Sequence, residues 1–194
     1  MSSPKAPLIL ASASPRRREL LTQVGVEFSI IVSGCDETPV PGETPQAMVE
    51  RLALAKASAV ADMHPESYVI GADTTVFIDG RSLGKPESER EAQEMLATIA
   101  GRAHQVWGGI AIVRRSSGLA DVWSHMTEVI MAAMSPEVIA SYVKSGEPMD
   151  KAGAYAIQGR GSQFVDSVAG SYSNVVGLNI SALMRRLAAL GAIS

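Results

Sequence analysis

The sequence contains a single cysteine, Cys35, among its 194 residues. One thiol cannot form an intramolecular disulfide, and it cannot build a zinc site that needs several cysteines. The three histidines, His64, His104 and His125, lie too far apart along the chain to suggest a metal site. We expect His104 to be a hydrogen-bonded structural residue and not a base. Because so little cysteine is typical of a reducing compartment, we expect a cytoplasmic location.

Long apolar runs and a strong net charge are missing as well. The N-terminal segment has an apolar run of only a few residues, and Arg16, Arg17 and Arg18 follow it on the wrong side for a signal peptide. No other stretch is long and apolar enough to cross a bilayer. The net charge of -3 argues against broad attachment to nucleic acid or to an anionic membrane. We therefore expect no stable nucleic-acid partner and no membrane partner.

Four well-known motifs are absent: the GxxxxGK[ST] phosphate loop, the GxGxxG dinucleotide element, the HExxH zinc helix and the GxSxG nucleophile elbow. The composition that is present, 46% hydrophobic and 19% charged residues, fits one globular domain with a substantial core. Neither a repeat nor a linker divides the chain. We therefore expect a single domain over residues 1–194.

Apolar patterns of strand and helix type alternate unevenly along the chain. Strand patterns occupy residues 8–11, 28–32, 68–70, 76–78, 106–113, 122–131, 154–157 and 164–168. Helix patterns begin at Pro15, Pro45, Ser88 and Pro136, and a last one covers residues 180–190. This mixture favours an α/β architecture with a mixed sheet and flanking helices over an all-parallel sheet. A cleft between two lobes of the domain is compatible with it.

A first group of candidate residues follows the first strand, in the segment Ser12-Ala13-Ser14-Pro15-Arg16-Arg17-Arg18. Ser14 is the predicted N-cap of a helix. Backbone N–H groups at a helix start attract anions, and the arginine fork binds two phosphate oxygens at once. Cations in a first turn oppose the helix dipole, so a merely solvated helix start is the weaker alternative. We predict that Ser12, Arg16 and Arg17 bind phosphate.

A second group consists of carboxylates. Glu37 lies in a loop beside Asp36, and Asp73 follows the strand pattern at 68–70 in the segment Gly71-Ala72-Asp73-Thr74. We therefore expect Asp73 at a strand end, where small neighbours permit a ligand to approach closely. Carboxylates bind Mg²⁺ or Mn²⁺ through oxygen, and one of them can orient or deprotonate a water molecule. A solvated loop acid is the simpler alternative for either residue alone.

Three lysines and a glutamine complete the candidates. Lys56, Lys85 and Lys151 could neutralise a polyphosphate, although each one alone is more simply a surface lysine. In the second predicted helix, the apolar stripe leaves Lys56 away from its centre. Lys85 lies in a constrained Gly-Lys-Pro turn. The amide of Gln158 offers both a donor and an acceptor to a base edge, although an ordinary turn glutamine is the alternative.

Several short segments stand in a fixed order along the chain. They are Ser12-Ala13-Ser14-Pro15-Arg16-Arg17, Asp36-Glu37, Gly71-Ala72-Asp73-Thr74, Gly84-Lys85-Pro86, Asp150-Lys151-Ala152-Gly153-Ala154-Tyr155, Ile157-Gln158-Gly159, Gly170-Ser171-Tyr172 and Asn174-Val175-Val176-Gly177-Leu178. In this order and spacing they closely resemble the Maf family over nearly the whole chain. The resemblance implies a nucleotide pyrophosphatase with two lobes around a cleft and a mixed-sheet α/β fold similar to that of inosine triphosphate pyrophosphatases. It also implies a divalent metal cofactor, Mg²⁺ or Mn²⁺, and a homodimer.

The same resemblance implies roles for individual residues. Asp73 corresponds to the family's catalytic proton acceptor, and Arg16, Thr74 and Gln158 correspond to its specificity positions. Its other active-site positions match Glu37, Lys56 and Lys85. The family branch active on dTTP and UTP typically has Ile-Gln-Gly where this chain has Ile157-Gln158-Gly159, whereas the 7-methyl-GTP branch has a segment with Glu there. This chain resembles the first branch.

The resulting hypothesis is hydrolysis of dTTP and UTP to dTMP or UMP and diphosphate, by metal-assisted attack of water on the α phosphorus. Glu37 and Asp73 would hold the metal, while Asp73 would also orient or deprotonate the water. Two alternatives remain open: a house-cleaning pyrophosphatase for modified pyrimidine nucleotides, and a nucleotide-binding regulator of cell division or septum formation. The acids and lysines argue against a pure binding module.

Overall fold

The computed structural model describes residues 6–38 and 40–193. Met1–Lys5, Pro39 and Ser194 lie outside the described residues. The described residues therefore exclude the start of the N-terminal segment discussed above. They also exclude both ends of the predicted domain 1–194.

A mixed sheet forms the centre of the fold. Its strands are β1 (Leu8–Leu10), β2 (Ser29–Ile30), β3 (Tyr68–Ile78), β4 (Arg81–Leu83), β5 (Ala103–Arg114), β6 (Leu119–Met131) and β7 (Val165–Ala169). Within the described residues they form one seven-stranded sheet of order β2-β1-β3-β5-β6-β7, with β4 paired to β3. β1 pairs in parallel with β2 and β3, whereas β4 and β7 pair antiparallel with β3 and β6. The predicted mixed sheet is confirmed.

Helices flank this sheet, as predicted for the α/β class. They are α1 (Pro15–Gln23), α2 (Pro45–Ala61), α3 (Glu89–Ile99), α4 (Pro136–Val143), α5 (Tyr172–Val176) and α6 (Ile180–Ala189). Side chains that accept a backbone N–H cap four of them, namely Thr44, Ser88, Ser135 and Asn179. Ser14 occupies the N-cap position of α1, but within the described residues its side chain accepts no capping hydrogen bond. In the same part of the chain, none of the helices has the length and apolar character needed to span a membrane.

The chain divides into two compact units. The first contains the described residues up to Asp73, Gly108–His125, and those from Gly177 onward. The second contains Thr74–Trp107 and Met126–Val176. Each has its own buried apolar cluster, built on α2 in the first unit and on α3 and α4 in the second. The cleft that the family resemblance implies stays a prediction.

In the first unit, α2 lies against two glycines of the sheet. A Cβ atom on Gly71 in β3 would be 2.1 Å from the carbonyl oxygen of Ala53 and 2.7 Å from the amide nitrogen of Ala57. On Gly109 in β5 it would be 2.2 Å from the carbonyl oxygen of Val49. These distances are far shorter than van der Waals contact, so any side chain would force the helix away from the sheet.

Replacing Gly71 by Ala is therefore expected to destabilise the protein strongly. Overpacking a core usually costs about 1–3 kcal/mol, and we expect at least the upper end because the opposing atoms belong to the backbone. The melting temperature should fall by roughly 6 °C or more, measured by circular dichroism. Gly84→Ala is the matched control, because a Cβ there meets no atom within 4 Å. Equal melting temperatures of the two variants would contradict the predicted clash.

Asp73 lies inside a strand and not at a strand end, which corrects the prediction. The patterns at 68–70 and 76–78 belong to the single strand β3, because Gly71 and Ala72 stay extended and are buried. The paired register with β1 ends at Ile70, and the register with β4 begins at Val76. Asp73 occupies the stretch between these two registers.

Two other predicted strands also differ from the structure. The strand predicted at 28–32 is limited to Ser29–Ile30, which pair with Ile9 and Leu10 of the three-residue β1. The strand predicted at 154–157 is absent from the described structure, where residues 152–154 form a 3-10 turn. Gly153 and Ala154 have φ angles of 69° and 58°, which are incompatible with an extended strand.

His104 is buried in the second unit, and its predicted hydrogen bonding is confirmed. Its Nε2 atom is 2.8 Å from the hydroxyl of Tyr155, and the two rings meet edge to face. Burial lowers the pKa of His104 from 6.5 to about 4. The folded protein therefore holds this imidazole neutral at pH values where an unfolded chain would protonate it.

This burial predicts a loss of stability in mild acid. Between pH 6.5 and about 4 the unfolded state binds a proton at His104 that the folded state does not, so the free energy of unfolding falls as the pH falls. The full effect is about 3 kcal/mol. In His104→Gln, the free energy of unfolding in urea should change less steeply with pH across this range. The difference in slope should correspond to up to one bound proton. Parallel curves for the variant and the unchanged protein would contradict the prediction.

Candidate active site

A buried lysine joins the two predicted carboxylates of the first unit. The Nζ atom of Lys56 donates to Oε2 of Glu37 and to Oδ1 of Asp73, both at 2.7 Å. The side chain of Lys56 is 8% exposed, that of Asp73 12% and that of Glu37 57%. One cation and two anions therefore share a site that is closed on the lysine side and open at Glu37.

The buried position of Lys56 corrects the prediction that it lies away from the apolar stripe of α2. The buried face of the helix contains Lys56 together with Val49, Leu52, Ala53, Ala57, Val60 and Ala61. The many alanines of α2 fit more than one periodic pattern, so the face that packs is decided by the sheet beneath it. Because α2 touches Gly71 directly, Lys56 reaches Asp73 two residues further along β3.

Arg17 anchors three segments of the first unit. Its Nη1 atom donates to Oγ of Ser12 at 3.1 Å and to the carbonyl of Ala72 at 2.9 Å, and its Nε atom donates to the carbonyl of Gly177 at 2.9 Å. Burial lowers the pKa of Arg17, the charge of Asp73 raises it, and Arg16 lowers it further. Ser12 and Arg17 thus lie beside the strand segment that carries Asp73. Their binding of phosphate stays a prediction.

The loop that carries Glu37 is held by residues to which the sequence patterns assigned no function. Arg51 of α2 donates two hydrogen bonds to the carboxylate of Glu43, both at 2.8 Å, and one to the carbonyl of Thr38 at 3.4 Å. Asp36, the acid beside Glu37, accepts hydrogen bonds from the amide and hydroxyl of Thr38 at 2.9 and 2.6 Å. Asp36 therefore shapes the loop, and Glu37 is the acid that reaches Lys56.

Arg16 lies in the first turn of α1 in the first unit and is partly buried. The other predicted residues belong to the second unit. Thr74 follows Asp73 in β3 and is partly buried. Lys85 is exposed in a turn whose preceding residue, Gly84, accepts a hydrogen bond from the amide of Gly153 at 3.0 Å. Gln158 is exposed directly before the 3-10 helix Gly159–Phe164. The second unit thus presents Lys85 and Gln158 to solvent.

Lys151 is the one predicted lysine with a clear alternative use. Its ammonium donates to the carbonyl of Glu147 at 2.7 Å and to Oδ1 of Asp150 at 2.5 Å. The ammonium therefore stabilises the 3-10 turn Glu147–Asp150, which agrees with a structural role.

Two acids of the first unit fit a divalent cation. Among the described residues, no three His, Cys, Asp or Glu side chains form a group that could hold a metal by themselves. Glu37 and Asp73 nevertheless converge on one cation, the Lys56 ammonium, through carboxylate oxygens. Mg²⁺ is commonly held by one or two carboxylates together with substrate phosphates and water. The pair therefore fits magnesium or manganese if a polyphosphate completes the ligand set.

The chain is similar in sequence to well-defined relatives. The family model described as Maf-like protein matches residues 7–190. A curated dTTP/UTP pyrophosphatase from Desulfotalea psychrophila is 47% identical over 188 residues, which cover 97% of this chain and 96% of the relative. One of the same name from Symbiobacterium thermophilum is 50% identical over 184 residues, covering 95% and 94%.

A solved structure with low sequence identity shares the fold. The Staphylococcus aureus Ham1 protein superposes with a TM-score of 0.55 at 17% identity, over 95% of this chain and 99% of that protein. At this identity the likeness concerns the fold alone.

Proposed function

This chain belongs to the Maf family, and on that basis we propose that it is a nucleoside triphosphate pyrophosphatase that converts dTTP and UTP to dTMP or UMP and diphosphate. Relatives that bear the name dTTP/UTP pyrophosphatase are 47% and 50% identical to it over nearly the full length of both chains. The proposal places the whole sequence, residues 1–194, in one catalytic domain.

The observation that carries the proposal is the contact of the Lys56 ammonium with both Glu37 and Asp73 at 2.7 Å. A lysine buried between two acids is held in one position and keeps the carboxylates together. Such an arrangement offers carboxylate oxygens for a cation and for a water molecule, and an ammonium for a phosphate oxygen.

The proposed reaction is a single displacement at the α phosphorus. The oxygen of a water molecule attacks this phosphorus while the bond to the oxygen that bridges the α and β phosphates breaks, and diphosphate leaves with that oxygen. Asp73 accepts the proton of the water on Oδ2, because its Oδ1 atom is already bound by Lys56. A covalent enzyme intermediate is not required.

Charge accumulates on the departing diphosphate, and fixed cations stabilise it. We assign this role to Arg16, Lys56 and Lys85, because preorganised cations act most strongly where negative charge develops. Ser12 and Arg17 also bind phosphate, while Thr74 and Gln158, together with Arg16, select the substrate. Glu37 and Asp73 are the residues that would hold Mg²⁺ or Mn²⁺. A bound divalent cation neutralises phosphate oxygens and makes the phosphorus more electrophilic.

Two further assignments complete the proposal, a cytoplasmic location and a homodimer. The single cysteine of the sequence fits a reducing compartment, and the homodimer follows from the family resemblance. Sedimentation equilibrium at micromolar concentration should give twice the chain mass of 20.4 kDa. A single species at the chain mass would contradict the homodimer without affecting the proposed reaction.

The test of the function is release of diphosphate by the purified protein from dTTP, UTP, CTP, dCTP, ATP, GTP, 7-methyl-GTP and 5-methyl-UTP. Each nucleotide is measured with Mg²⁺, with Mn²⁺ and with a chelator. We expect the highest kcat/KM for dTTP and UTP and release at the background level with chelator, because competing substrates are discriminated by this ratio.

Three other results would change the conclusion. A higher kcat/KM for 5-methyl-UTP would favour the house-cleaning alternative. Release that persists fully in chelator would remove the metal from the reaction. No release from any nucleotide would contradict the proposed function and favour a nucleotide-binding regulator.

A further inference from the structure

We propose that Tyr142 and Glu147 are positioning residues for base selection, which they achieve by fixing the backbone that carries Gln158. The inference rests on the proposed function, because it takes Gln158 as the residue that recognises the base. Neither residue belongs to the motifs that indicate the reaction. Both lie in the second unit, where their contacts with the segment 156–161 are complete within that unit.

Glu147 binds the backbone two and three residues after Gln158. Its Oε1 atom accepts the amide of Arg160 at 3.0 Å, and its Oε2 atom accepts the amide of Gly161 at 2.9 Å. The same Oε2 atom accepts the hydroxyl of Tyr142 at 2.7 Å. One carboxylate thus accepts two amides in the first turn of the 3-10 helix Gly159–Phe164.

Tyr142 binds the backbone two residues before Gln158. Its hydroxyl oxygen accepts the amide of Ala156 at 3.1 Å while its proton goes to Glu147. The ring of Tyr142 is buried and packs edge to face on Phe164 at 5.1 Å between centroids. Gln158 is therefore flanked on both sides by amides that are held by one hydrogen-bonded pair of side chains.

Two glycines allow this close approach. A Cβ atom on Gly159 would be 2.3 Å from Oε1 of Glu147, and one on Gly161 would be 2.5 Å from the hydroxyl of Tyr142. Gly159 also has a φ angle of 70°, which favours glycine. The glycines after Gln158 are thus explained by contact with the pair as well as by turn geometry.

The charge of Glu147 is maintained in this environment. Burial raises the pKa of its carboxyl group. The hydrogen bonds from Tyr142, Arg160 and Gly161 and the charge of Lys151 together lower the pKa by more than burial raises it, so the pKa lies below its ordinary value. An ionised carboxylate accepts hydrogen bonds at both oxygens, and such charge-assisted bonds are roughly twice as strong as neutral ones. The ionised carboxylate therefore holds the backbone amides of residues 160 and 161 at neutral pH.

Base selection needs such a fixed backbone because the glutamine amide is ambiguous. One end of the amide donates and the other accepts, so rotation of the amide plane exchanges the two. Thymine and uracil present the O4 acceptor at the position where cytosine presents the N4 amino donor. A loose Gln158 could serve either base, whereas a backbone held at residues 156, 160 and 161 limits the directions available to its side chain.

The experiment compares the kcat/KM ratio of UTP to CTP in Glu147→Gln, in Tyr142→Phe and in the unchanged protein. Glutamine keeps the shape of Glu147 but presents an NH₂ group to a donor, and phenylalanine keeps the packed ring while removing the hydroxyl. We expect the ratio to fall by about tenfold, the size expected when a base-reading hydrogen bond is lost. Amide hydrogen exchange at residues 156–161 should become faster in both variants. Glu94→Gln, which changes an exposed ion pair in α3 of the same unit, should leave both measurements unchanged.

A double substitution separates base selection from general damage. In Gln158→Ala, the further change Glu147→Gln should alter the UTP to CTP ratio by less than about twofold, because coupled residues are not additive. Folded variants that retain the original ratio, or a Glu147→Gln effect of equal size with and without Gln158, would overturn the proposal. Failure of the unchanged protein to cleave any nucleotide would instead overturn the proposed function, and selection with it.

Discussion

Replacing Asp73 by Asn is expected to lower kcat for dTTP and UTP by about 10³-fold or more. Asparagine has nearly the same shape, so the packing in β3 should be kept. It cannot accept a proton from water, and its neutral amide is a poor ligand for a divalent cation. Pre-steady-state and steady-state release of diphosphate should both be affected, whereas the circular dichroism spectrum should match that of the unchanged protein.

Asp79→Asn is the matched control for this substitution. Asp79 follows the last residue of the same strand and forms an exposed ion pair with Arg102 at 2.6 Å. Exposed substitutions of this kind usually change the free energy of unfolding by less than about 0.5 kcal/mol, so kcat should stay near its original value. An Asp73→Asn protein that retains comparable activity would remove Asp73 from the role of proton acceptor.

Replacing Lys56 by Met is expected to damage both catalysis and stability. Without the ammonium, Asp73 and Glu37 are two anions near each other, and Asp73 is only 12% exposed. Removal of one partner from a buried ion pair costs about 3–5 kcal/mol in general; the open position of Glu37 places our expectation at the lower end. Turnover should fall by at least about 10²-fold, because an electrostatic contact to the reacting phosphates is lost.

A double variant distinguishes the two effects. In Lys56→Met combined with Asp73→Asn, the buried aspartate charge is gone, so urea unfolding should show part of the lost stability restored while activity stays low. Lys144→Met, at an exposed position after α4, is the control for removal of one positive charge. If Lys56→Met is as stable as Lys144→Met, the buried ion pair contributes nothing measurable to the fold.

Local sequence patterns predicted the mixed α/β class and most helix starts correctly because these depend on neighbouring residues. Pro45 and Pro136 begin helices, and Ser88 accepts the amide of Glu91 at 3.2 Å as a capping residue should. The strand end predicted at Asp73 was wrong. The strand continues through Gly71, because α2 packs directly on this residue and keeps it in the sheet. That contact joins distant parts of the chain and has no local signature.

In the candidate site, too, the features set by neighbouring residues were predictable and the contacts between distant parts of the chain were not. Glu37 and Asp73 were identifiable as acids beside small or loop residues, but only the fold places Lys56 between them. The contact between Glu147 and the amide of Arg160 spans 13 residues and two different turns. Periodicity cannot reveal such a contact, because a 3-10 turn carries no repeating apolar face. Capping residues are predictable from sequence, whereas side chains that support a loop from elsewhere are not.

The two glycines beneath α2 limit which second mutations could repair a first one. The nearest atoms that would oppose a Cβ on Gly71 or Gly109 are the backbone oxygen or nitrogen of Ala53, Ala57 and Val49, which every amino acid possesses. No replacement at the facing helix positions can remove them, so a genetic screen for intragenic suppressors of Gly71→Ala should recover reversion to glycine and little else. Gly153 differs, because the atoms nearest to a Cβ at this position belong to the side chain of Val76. A smaller residue in place of Val76 would therefore open space for a side chain at position 153.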